Sequence, residues 1–289
     1  MNQQNQNTTT ALVLEGGGMR AIFTAGVIDG LLDMGFSPDV CYAVSAGAGH
    51  ACSFFSGQRG RAARVVLNHM DDKRYLGLYS LLTTGDLFGA DFIYNEISFH
   101  LDPIDCAAFN AHKGSFFAVL TNCLTGEAEY REVSRMPDDI APVRASSSLP
   151  MVSRMVEIDG IPYLDGGIVD SIPIERALSS HPGTKALIVL TQHAGYRKEA
   201  SSSVKLMRLI YRKYPALVEA MECRHIRYNN QLDAAEKAAA EGRALILRPA
   251  EPLGIGRTER SREKLERGYE IGLQTAKENA GRIAAFFAE

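Results

Sequence analysis

Apolar and polar positions alternate along the chain with two different periods. Short runs rich in Val, Ile, Leu and Phe are separated by longer stretches in which apolar residues recur every three or four positions. This order of elements predicts an α/β fold, a three-layer α/β/α sandwich with a mainly parallel central sheet. The predicted strands are residues 11–14, 40–44, 116–121, 129–133, 155–158, 186–191 and 244–247.

Helical patterns follow the first two strands and fill the C-terminal third. The first helix is predicted over residues 19–34 and ends at Gly35, a residue suited to the left-handed position after a helix. The second helix begins just after Ser45. Residues 204–240 and 259–287 also have helical patterns, and the second of these two segments is amphipathic.

Residues 75–93 match neither the strand spacing nor the helix spacing of apolar residues. The segment is apolar and aromatic but is interrupted by glycines and acidic turn residues. The favoured interpretation is a packed connector. The alternative is a flexible cap, or lid, over a cleft.

The composition narrows the class of protein. Of the 289 residues, 46% are hydrophobic and 22% are charged, and the net charge is −3, so we expect a globular protein with no general attraction to nucleic acid. The five cysteines are scattered and form no CxxC pair, which indicates a reducing compartment. Without a signal-peptide pattern or 18 consecutive apolar residues, we expect a cytoplasmic protein that contacts a membrane peripherally, if at all.

The stretch LVLEGGGMRA joins the first predicted strand to the first helix. Gly16, Gly17 and Gly18 place backbone N–H groups at the positive end of that helix, where an anion binds favourably. Arg20 follows directly behind the glycines. The anion could be the phosphate of a nucleotide or a charge that exists only during a reaction.

A dinucleotide site is one alternative for this loop. Gly16, Gly18 and Ala21 fit the pattern G-x-G-x-x-G/A between a strand and a helix. That pattern also requires an acidic residue at the end of the second strand, where it binds the ribose. Ser45 follows that strand instead, and Asp39 precedes it. Dinucleotide binding is therefore the weaker interpretation.

The stretch AVSAGAG places Ser45 between the second strand and the second helix. A nucleophilic serine needs a strained strand-to-helix turn with small residues two positions before and after it. Ala43 and Gly47 occupy those two positions. The alternative is that Ser45 only caps the helix.

The stretch YLDGG places Asp165 after a predicted hairpin with its turn at Asp159 and Gly160. Gly166 and Gly167 would let a substrate or another backbone approach the carboxylate closely. The alternative is an ordinary Asp-Gly turn.

The motifs EGGGMR, SAG and DGG, in this order, resemble those of the patatin-like phospholipase family. The resemblance runs from about residue 11 to residue 191 and includes the small-residue stretch ASSSLP at residues 145–150. It implies a patatin-like catalytic domain at residues 10–200. The polar composition of residues 1–9 predicts a disordered tail before it. Residues 201–289 would be a helical extension packed on the same domain.

The resemblance implies a serine–aspartate dyad, with Ser45 as nucleophile and Asp165 as its base. The glycine loop at residues 16–18, supported by Arg20, would form the oxyanion hole. The implied function is a serine acyl hydrolase that cleaves carboxylic esters of lipids through an acyl-serine intermediate, like a phospholipase A or a lysophospholipase. No cofactor and no metal are implied. The family usually has glycine where this chain has Ala21 and Ala43, which puts the rate in question more than the type of reaction.

A carboxylate with an ordinary pKa of about 3.9 is a poor base for a serine hydroxyl. Burial in a partly apolar cleft raises the pKa of such a group. We therefore expect Asp165 to be shielded from water and hydrogen-bonded to Ser45.

Two further alternatives keep the same fold. His193 follows the strand at residues 186–191, and the order Ser45, Asp165, His193 matches the chain order of an α/β-hydrolase triad. A non-catalytic lipid-binding or regulatory protein is the other alternative. The stretch 197–227 carries eight Lys or Arg against three Glu, which favours peripheral contact with an anionic membrane surface, although a solvated helix face would look the same.

Overall fold

The computed structural model describes residues 9–288, and nearly all of the predicted polar tail at residues 1–9 lies outside that range. The strands are β1 (Thr10–Leu14), β2 (Val40–Val44), β3 (Ser115–Asn122), β4 (Ala128–Glu132), β5 (Val156–Ile158), β6 (Ile161–Asp165), β7 (Lys185–Val189) and β8 (Ala244–Leu247).

The helices are α1 (Ile22–Asp33), α2 (Ala46–Phe55), α3 (Arg61–His69), α4 (Leu78–Thr84), α5 (Cys106–Ala111), α6 (Ile140–Ser146), α7 (Ile174–Leu178), α8 (Val204–Ile210), α9 (Pro215–Glu222), α10 (Arg224–Ala240), α11 (Arg262–Glu278) and α12 (Ala280–Ala288). Short 3₁₀ turns cover Gly18–Ala21 and Gly166–Ile168, and a π-helix covers Phe92–Leu101.

A single mixed sheet forms the middle layer, in the order β5-β6-β3-β2-β1-β7-β8. The strands from β3 to β8 along this order are parallel, whereas β4 and β6 run antiparallel to β3 and β5 runs antiparallel to β6. The predicted α/β sandwich with a mainly parallel sheet is confirmed. Because the carboxyl ends of parallel strands meet at one edge, the residues after β1, β2 and β7 lie side by side.

Burial of both sheet faces explains why the central strands are continuous apolar runs. In β1, Leu12 and Leu14 pack into the large core on one face, while Ala11 and Val13 pack into a second core on the other face. Strand side chains alternate between faces, so each face receives every second residue. Helices cover both faces and complete the three layers.

The predicted hairpin before Asp165 is present. Strands β5 and β6 pair in antiparallel register, and Asp159 and Gly160 connect them with positive φ angles of 54° and 77°. Two successive positive φ angles match the twist of a two-residue hairpin turn. Strand β6 ends at Asp165, which pairs with Leu120 of β3, and the adjacent Val119 pairs with Val44, the residue before Ser45.

The two long C-terminal helical predictions were wrong in their continuity. Residues 204–240 form three helices, and the break between the first two lies before Pro215, where a proline ring disfavours helix in the preceding residue. Residues 259–287 form two helices, and the first begins at Arg262 after Ser261 caps Lys264 N at 3.3 Å. The C-terminal segment also supplies the edge strand β8, so it completes the central sheet.

Residues 75–93, the predicted connector, make backbone contacts within the segment and with Val152. Leu76 bridges to Phe88 across the segment, and Leu87 N donates to Val152 O at 2.7 Å. Helix α4 lies between these anchors and exposes Leu78 and Leu82. The two flanks of the connector therefore pair with each other, one of them bonds to Val152, and the helix between them exposes apolar side chains.

Helices α1 and α11 pack at close range through glycine. A Cβ at Gly26 would overlap the carbonyl of Tyr269, and a Cβ at Gly272 would overlap the carbonyl of Phe23. Tyr269 Oη also donates to the buried Asp29 carboxylate at 2.7 Å. This contact anchors the C-terminal segment on the helix that follows the glycine loop.

The close packing predicts the effect of a single methyl group. Gly272→Ala should lower the free energy of unfolding by about 1–3 kcal/mol, because overpacking forces two backbones apart. Urea denaturation measures this change. Gly281→Ala is the matched control, since a Cβ there meets nothing within 4 Å, and it should cause no loss. Equal stability of both variants would contradict the close helix contact.

Candidate active site

Ser45 lies in the tight turn between β2 and α2. Its φ and ψ angles are 56° and −128°, a conformation that favours glycine and is strained for serine. The residue is only 7% exposed. This is the geometry expected of a serine held at a strand-to-helix elbow.

Ser146 holds the strained turn in place. The Ser45 N–H donates to Ser146 Oγ at 2.9 Å, and Ser146 Oγ donates to Val119 O at 2.7 Å. The turn is thereby tied to β3 through one buried hydroxyl. The small-residue stretch at residues 145–150 contains this serine, but the pattern alone did not indicate its role.

Small residues let three backbones meet at the turn. A Cβ at Gly47 would lie 2.8 Å from Leu14 O, and a Cβ at Gly16 would lie 2.6 Å from Ser45 Cβ. Both distances are shorter than atoms tolerate, so a larger residue would push the loop or helix away. Ala43 is fully buried in β2 between Leu14 and Ala118, so its methyl group is accommodated in the core.

The glycine loop lies against Ser45. Within residues 9–288, the N–H groups of Gly16, Gly17 and Gly18 donate to no protein acceptor. Gly18 has φ 56°, and a Cβ there would lie 2.6 Å from Arg257 O, so glycine is required. The loop therefore presents free backbone donors beside the serine.

A buried glutamate anchors the loop. Glu15 Oε2 accepts hydrogen bonds from Thr191 N at 2.6 Å and Thr191 Oγ1 at 3.0 Å, and Glu15 Oε1 accepts from Tyr228 Oη at 2.7 Å. Arg20 Nε donates to the same Thr191 Oγ1 at 3.2 Å. The loop, the end of β7 and helix α10 are joined through this one carboxylate.

Asp165 ends β6 and is 2% exposed. Its Oδ1 accepts from Gly167 N at 2.7 Å. Burial raises the pKa of the carboxyl above its ordinary value, while the Arg224 charge, the Ser45 hydroxyl and the Gly167 N–H oppose that rise. The structure thus places the Asp165 carboxylate beside the Ser45 hydroxyl in a shielded environment.

The glycines after Asp165 allow the close packing of this corner. A Cβ at Gly166 would overlap the carbonyl of Val119. Gly167 O accepts from Arg224 Nε at 2.6 Å and from Ser171 Oγ at 2.8 Å. Arg224 therefore positions the loop that carries the aspartate, a role that the sequence pattern did not reveal.

Ser45 lines two cavities. Residues of α2, α3 and the π-helix line a cavity of about 110 Å³, and apolar side chains including Met19, Val66, Ile93 and Val143 form much of its wall. A smaller, polar cavity of about 30 Å³ contains the glycine loop, Ser45 and Asp165 together. Ser45 therefore belongs to a mainly apolar cavity and to a polar one.

Two histidines, His193 and His50, bear on the alternative of a triad. His193 Nδ1 lies 2.6 Å from Ala194 O, and the residue does not line either cavity at Ser45. His50 lies in the apolar cavity, where burial lowers its pKa to about 4. The geometry around Ser45 favours the dyad with Asp165 over a triad with His193.

Only some of the basic side chains in the stretch at residues 197–227 lie on the surface. Arg197 pairs with Asp233 at 2.5 Å, and Arg208 pairs with Glu222 at 2.6 Å. Lys198 and Arg224 line the polar cavity instead. Asp39, the acid considered for a ribose, accepts from Thr10 N at the opposite end of the sheet from Ser45.

Fold and site together define a class of α/β proteins that carry a serine at a strand-to-helix elbow, a glycine loop beside it and an aspartate at the next sheet corner. A family model described as patatin-like phospholipase matches residues 12–178, more than half of the chain. The chain belongs to the patatin-like phospholipase family. A second model, a domain of unknown function designated DUF6363, matches residues 214–288.

The chain is also similar to individual proteins. The uncharacterized protein YjjU of Escherichia coli strain K12 is 33% identical over 186 residues, which are 62% of this chain and 51% of that protein. The match thus spans about half the length of that relative. VipD from Legionella pneumophila has a TM-score of 0.48 at 13% identity. That match covers 93% of this chain and 66% of the VipD chain. The type III effector ExoU has a TM-score of 0.40 at 15% identity, with coverages of 97% and 54%.

Between residues 9 and 288, no helix is both long and apolar enough to cross a membrane. The same part of the chain contains no group of three or more His, Cys, Asp or Glu placed to hold a metal ion.

The strained turn makes a testable prediction about stability. Ser45→Gly should be more stable than Ser45→Ala by about 1–3 kcal/mol, because glycine adopts a positive φ without the strain that alanine retains. Both variants lack the hydroxyl, so the comparison isolates the backbone. Chemical denaturation of the two proteins measures the difference. If Ser45→Ala were the more stable of the pair, the turn would not be strained.

Proposed function

We propose that this protein is a serine acyl hydrolase that cleaves carboxylic ester bonds of lipids with Ser45 as nucleophile and Asp165 as base. The observation that carries the proposal is the meeting of three groups in one polar cavity: the serine, a buried carboxylate and a loop of unpaired N–H donors. Membership in the patatin-like phospholipase family supports a lipid ester as substrate.

The reaction begins when Ser45 Oγ attacks the ester carbonyl carbon and its proton passes to the Asp165 carboxylate. The carbonyl oxygen becomes an oxyanion, and the N–H groups of the glycine loop donate to it. Such a donor is worth about 2.7–4 kcal/mol of transition-state stabilisation. When the intermediate collapses, the alcohol leaves with the proton from Asp165, and an acyl-serine remains.

Water completes the cycle. Asp165 accepts a proton from a water molecule whose oxygen attacks the acyl-serine carbonyl, and the same donors stabilise the second oxyanion. Collapse releases the fatty acid and returns the proton to Ser45. The raised pKa of Asp165 brings the carboxylate nearer to the pH at which it must accept and return a proton.

The apolar cavity accounts for the acyl half of the substrate. It begins at Ser45 and is bounded by the connector at Tyr75 and Phe88 and by the π-helix. Burial of each CH₂ group there contributes about 0.8 kcal/mol. The exposed side chains of Leu78, Leu82 and Leu209 support peripheral contact with a lipid surface.

The dyad predicts a specific pattern among variants. On a panel of acyl esters, Ser45→Ala should lower kcat at least about 1,000-fold, and Asp165→Asn should lower it about 100- to 10,000-fold. His193→Ala should retain activity near wild type. A fluorophosphonate probe should label the wild-type protein and spare Ser45→Ala.

The controls separate this proposal from its alternatives. Loss of activity in His193→Ala as large as in Ser45→Ala would replace the dyad by a triad. Absence of both hydrolysis and labelling in the wild-type protein, with lipid and detergent varied, would favour a non-catalytic lipid-binding protein on this fold.

The raised pKa of Asp165 predicts opposite effects on activity and stability. Activity should fall as the pH falls through the pKa of Asp165, and this pKa lies above the ordinary value of 3.8. Because the folded protein holds this proton more tightly than the unfolded chain, the carboxyl stabilises the fold most below pH 3.8, and that contribution is lost as the pH rises through the folded pKa. Asp165→Asn should therefore be as stable as wild type or more so at pH 7, as urea denaturation measures. A clear loss of stability at pH 7 would contradict the burial cost assigned to this carboxylate.

A further inference from the structure

The mainly apolar cavity at Ser45 also has polar atoms in its wall that make no hydrogen bond. Within residues 9–288, seven buried side-chain nitrogen or oxygen atoms lack a partner, and three of them belong to residues of this wall: His50 Nε2, Arg144 Nε and Ser147 Oγ. A buried polar atom without a partner lowers stability, so folded proteins keep few of them. The wall therefore offers hydrogen bonds that the fold itself does not use.

His50 is the most enclosed of these three residues, with 7% of its surface exposed. It lies on α2, five residues after Ser45, and Ala46, Gly49 and Ser53 of the same helix also line the cavity. Residues three or four positions apart share one face of a helix, and a rise of about 1.5 Å per residue places His50 about 7.5 Å along the axis from Ser45. A group bound at Ser45 can therefore extend along this face to the imidazole.

The His50 imidazole is neutral at pH 7. Burial lowers its pKa to about 4, and the main-chain oxygen of Ala21 only partly opposes that effect. A neutral imidazole has one donor and one acceptor nitrogen, so a hydroxyl group can bind Nε2 in either role. An aliphatic chain makes no such bond, and a carboxylate only accepts and loses its hydration on burial. A hydroxyl is therefore the best-suited partner.

Other polar side chains of the wall have partners. Arg61 donates from Nη1 to Ser53 Oγ at 3.0 Å and from Nη2 to the main-chain oxygen of Asp102 at 2.7 Å. Ser148 Oγ donates to the main-chain oxygen of Arg144 at 3.0 Å. This contrast singles out His50 Nε2 as a hydrogen-bonding atom of the wall that is free to bind a ligand.

The size of the cavity limits how far a bound chain can extend. An apolar cavity of roughly 150 Å³ accommodates benzene. By the same measure, the cavity of about 110 Å³ accommodates about four or five carbon atoms. A hydroxyl that reaches His50 therefore lies within about the first six carbons of a chain whose carbonyl carbon is at Ser45.

We propose that His50 binds a hydroxyl group on the acyl chain of the substrate. The inference rests on the proposed hydrolase function and specifies its substrates as esters of hydroxylated carboxylic acids, with the hydroxyl near the carbonyl group. In that function the acyl chain occupies this cavity, with its carbonyl carbon at Ser45. Arg144 and Ser147 add two further polar atoms to the same wall. His50 is thus a specificity-determining residue that takes no part in proton transfer.

The sign of the hydroxyl effect tests the proposal in the wild-type protein. The measurement compares kcat/KM for 4-nitrophenyl hexanoate with the values for its 3-hydroxy and 6-hydroxy derivatives. In a purely apolar cavity both derivatives would be the poorer substrates, because a buried hydroxyl without a partner is costly. With His50 as partner, at least one derivative should match or exceed the hexanoate. This comparison needs no variant, so it stays decisive if a substitution at His50 prevents folding.

Variants assign the effect to His50. The ratio of kcat/KM for the preferred hydroxylated ester over the hexanoate should fall at least about tenfold in His50→Leu, because the hydroxyl loses its partner. His50→Gln should restore the ratio in part, since its side chain can donate and accept. The matched control is His112→Leu, which removes another buried, unpartnered Nε2 that lies outside this cavity and should leave the ratio unchanged.

A binding measurement separates the hydroxyl site from catalysis. In the Ser45→Ala protein, ligand-observed NMR should show tighter binding of the methyl ester of the preferred hydroxylated acid than of methyl hexanoate. Adding His50→Leu should weaken binding of the hydroxylated ester at least about fivefold and leave binding of methyl hexanoate within about twofold.

The outcomes distinguish the two claims. Wild-type hydrolysis in which both hydroxylated esters are poorer substrates than the hexanoate would overturn the hydroxyl site and keep the hydrolase function. An unchanged ratio in His50→Leu, or an equal fall in His112→Leu, would overturn the site as well. The expected binding preference in a protein that hydrolyses none of the esters would keep the hydroxyl site and reject the proposed hydrolase function.

Discussion

The site depends on one buried carboxylate, that of Glu15. It accepts hydrogen bonds from the backbone and hydroxyl of Thr191 and from Tyr228, so it joins the end of β1, the end of β7 and helix α10. A carboxylate so far from water is tolerated because donors surround it. This arrangement fixes the start of the glycine loop, and the loop in turn lies against the strained turn at Ser45.

The site is built by both family-matched segments of the chain. Residues 12–178 carry Ser45, Asp165 and the glycine loop, while residues 214–288 contribute Arg224, Tyr228 and Arg257. The second segment also pairs β8 with β7 and packs α11 on α1. A segment that looks like a helical extension is therefore integral to the sheet and to the polar side of the candidate active site.

Local sequence patterns predicted those parts of the structure that depend on residues close together in the chain. The strand runs, the glycine loop, the elbow at Ser45 and the hairpin before Asp165 follow from short-range patterns, and all four are present in the structure. The anchoring side chains Glu15, Ser146 and Arg224 depend on contacts between residues 57–213 positions apart, which no local pattern encodes. The basic stretch shows the same limit, because composition cannot distinguish Arg208 on the surface from Arg224 in a cavity. The break before α9 was missed because the prediction followed helical periodicity alone, although Pro215 itself marks a helix boundary.

The central claim is that Ser45 becomes acylated during turnover. The direct measurement is acid quenching of the wild-type protein within the first turnovers of a chromogenic acyl ester, followed by mass spectrometry of its peptides. The account predicts an added acyl mass on the peptide that contains Ser45, absent from Ser45→Ala treated in the same way. Ester hydrolysis by the wild-type protein with no acyl group on that peptide, or acylation of another residue, would contradict it.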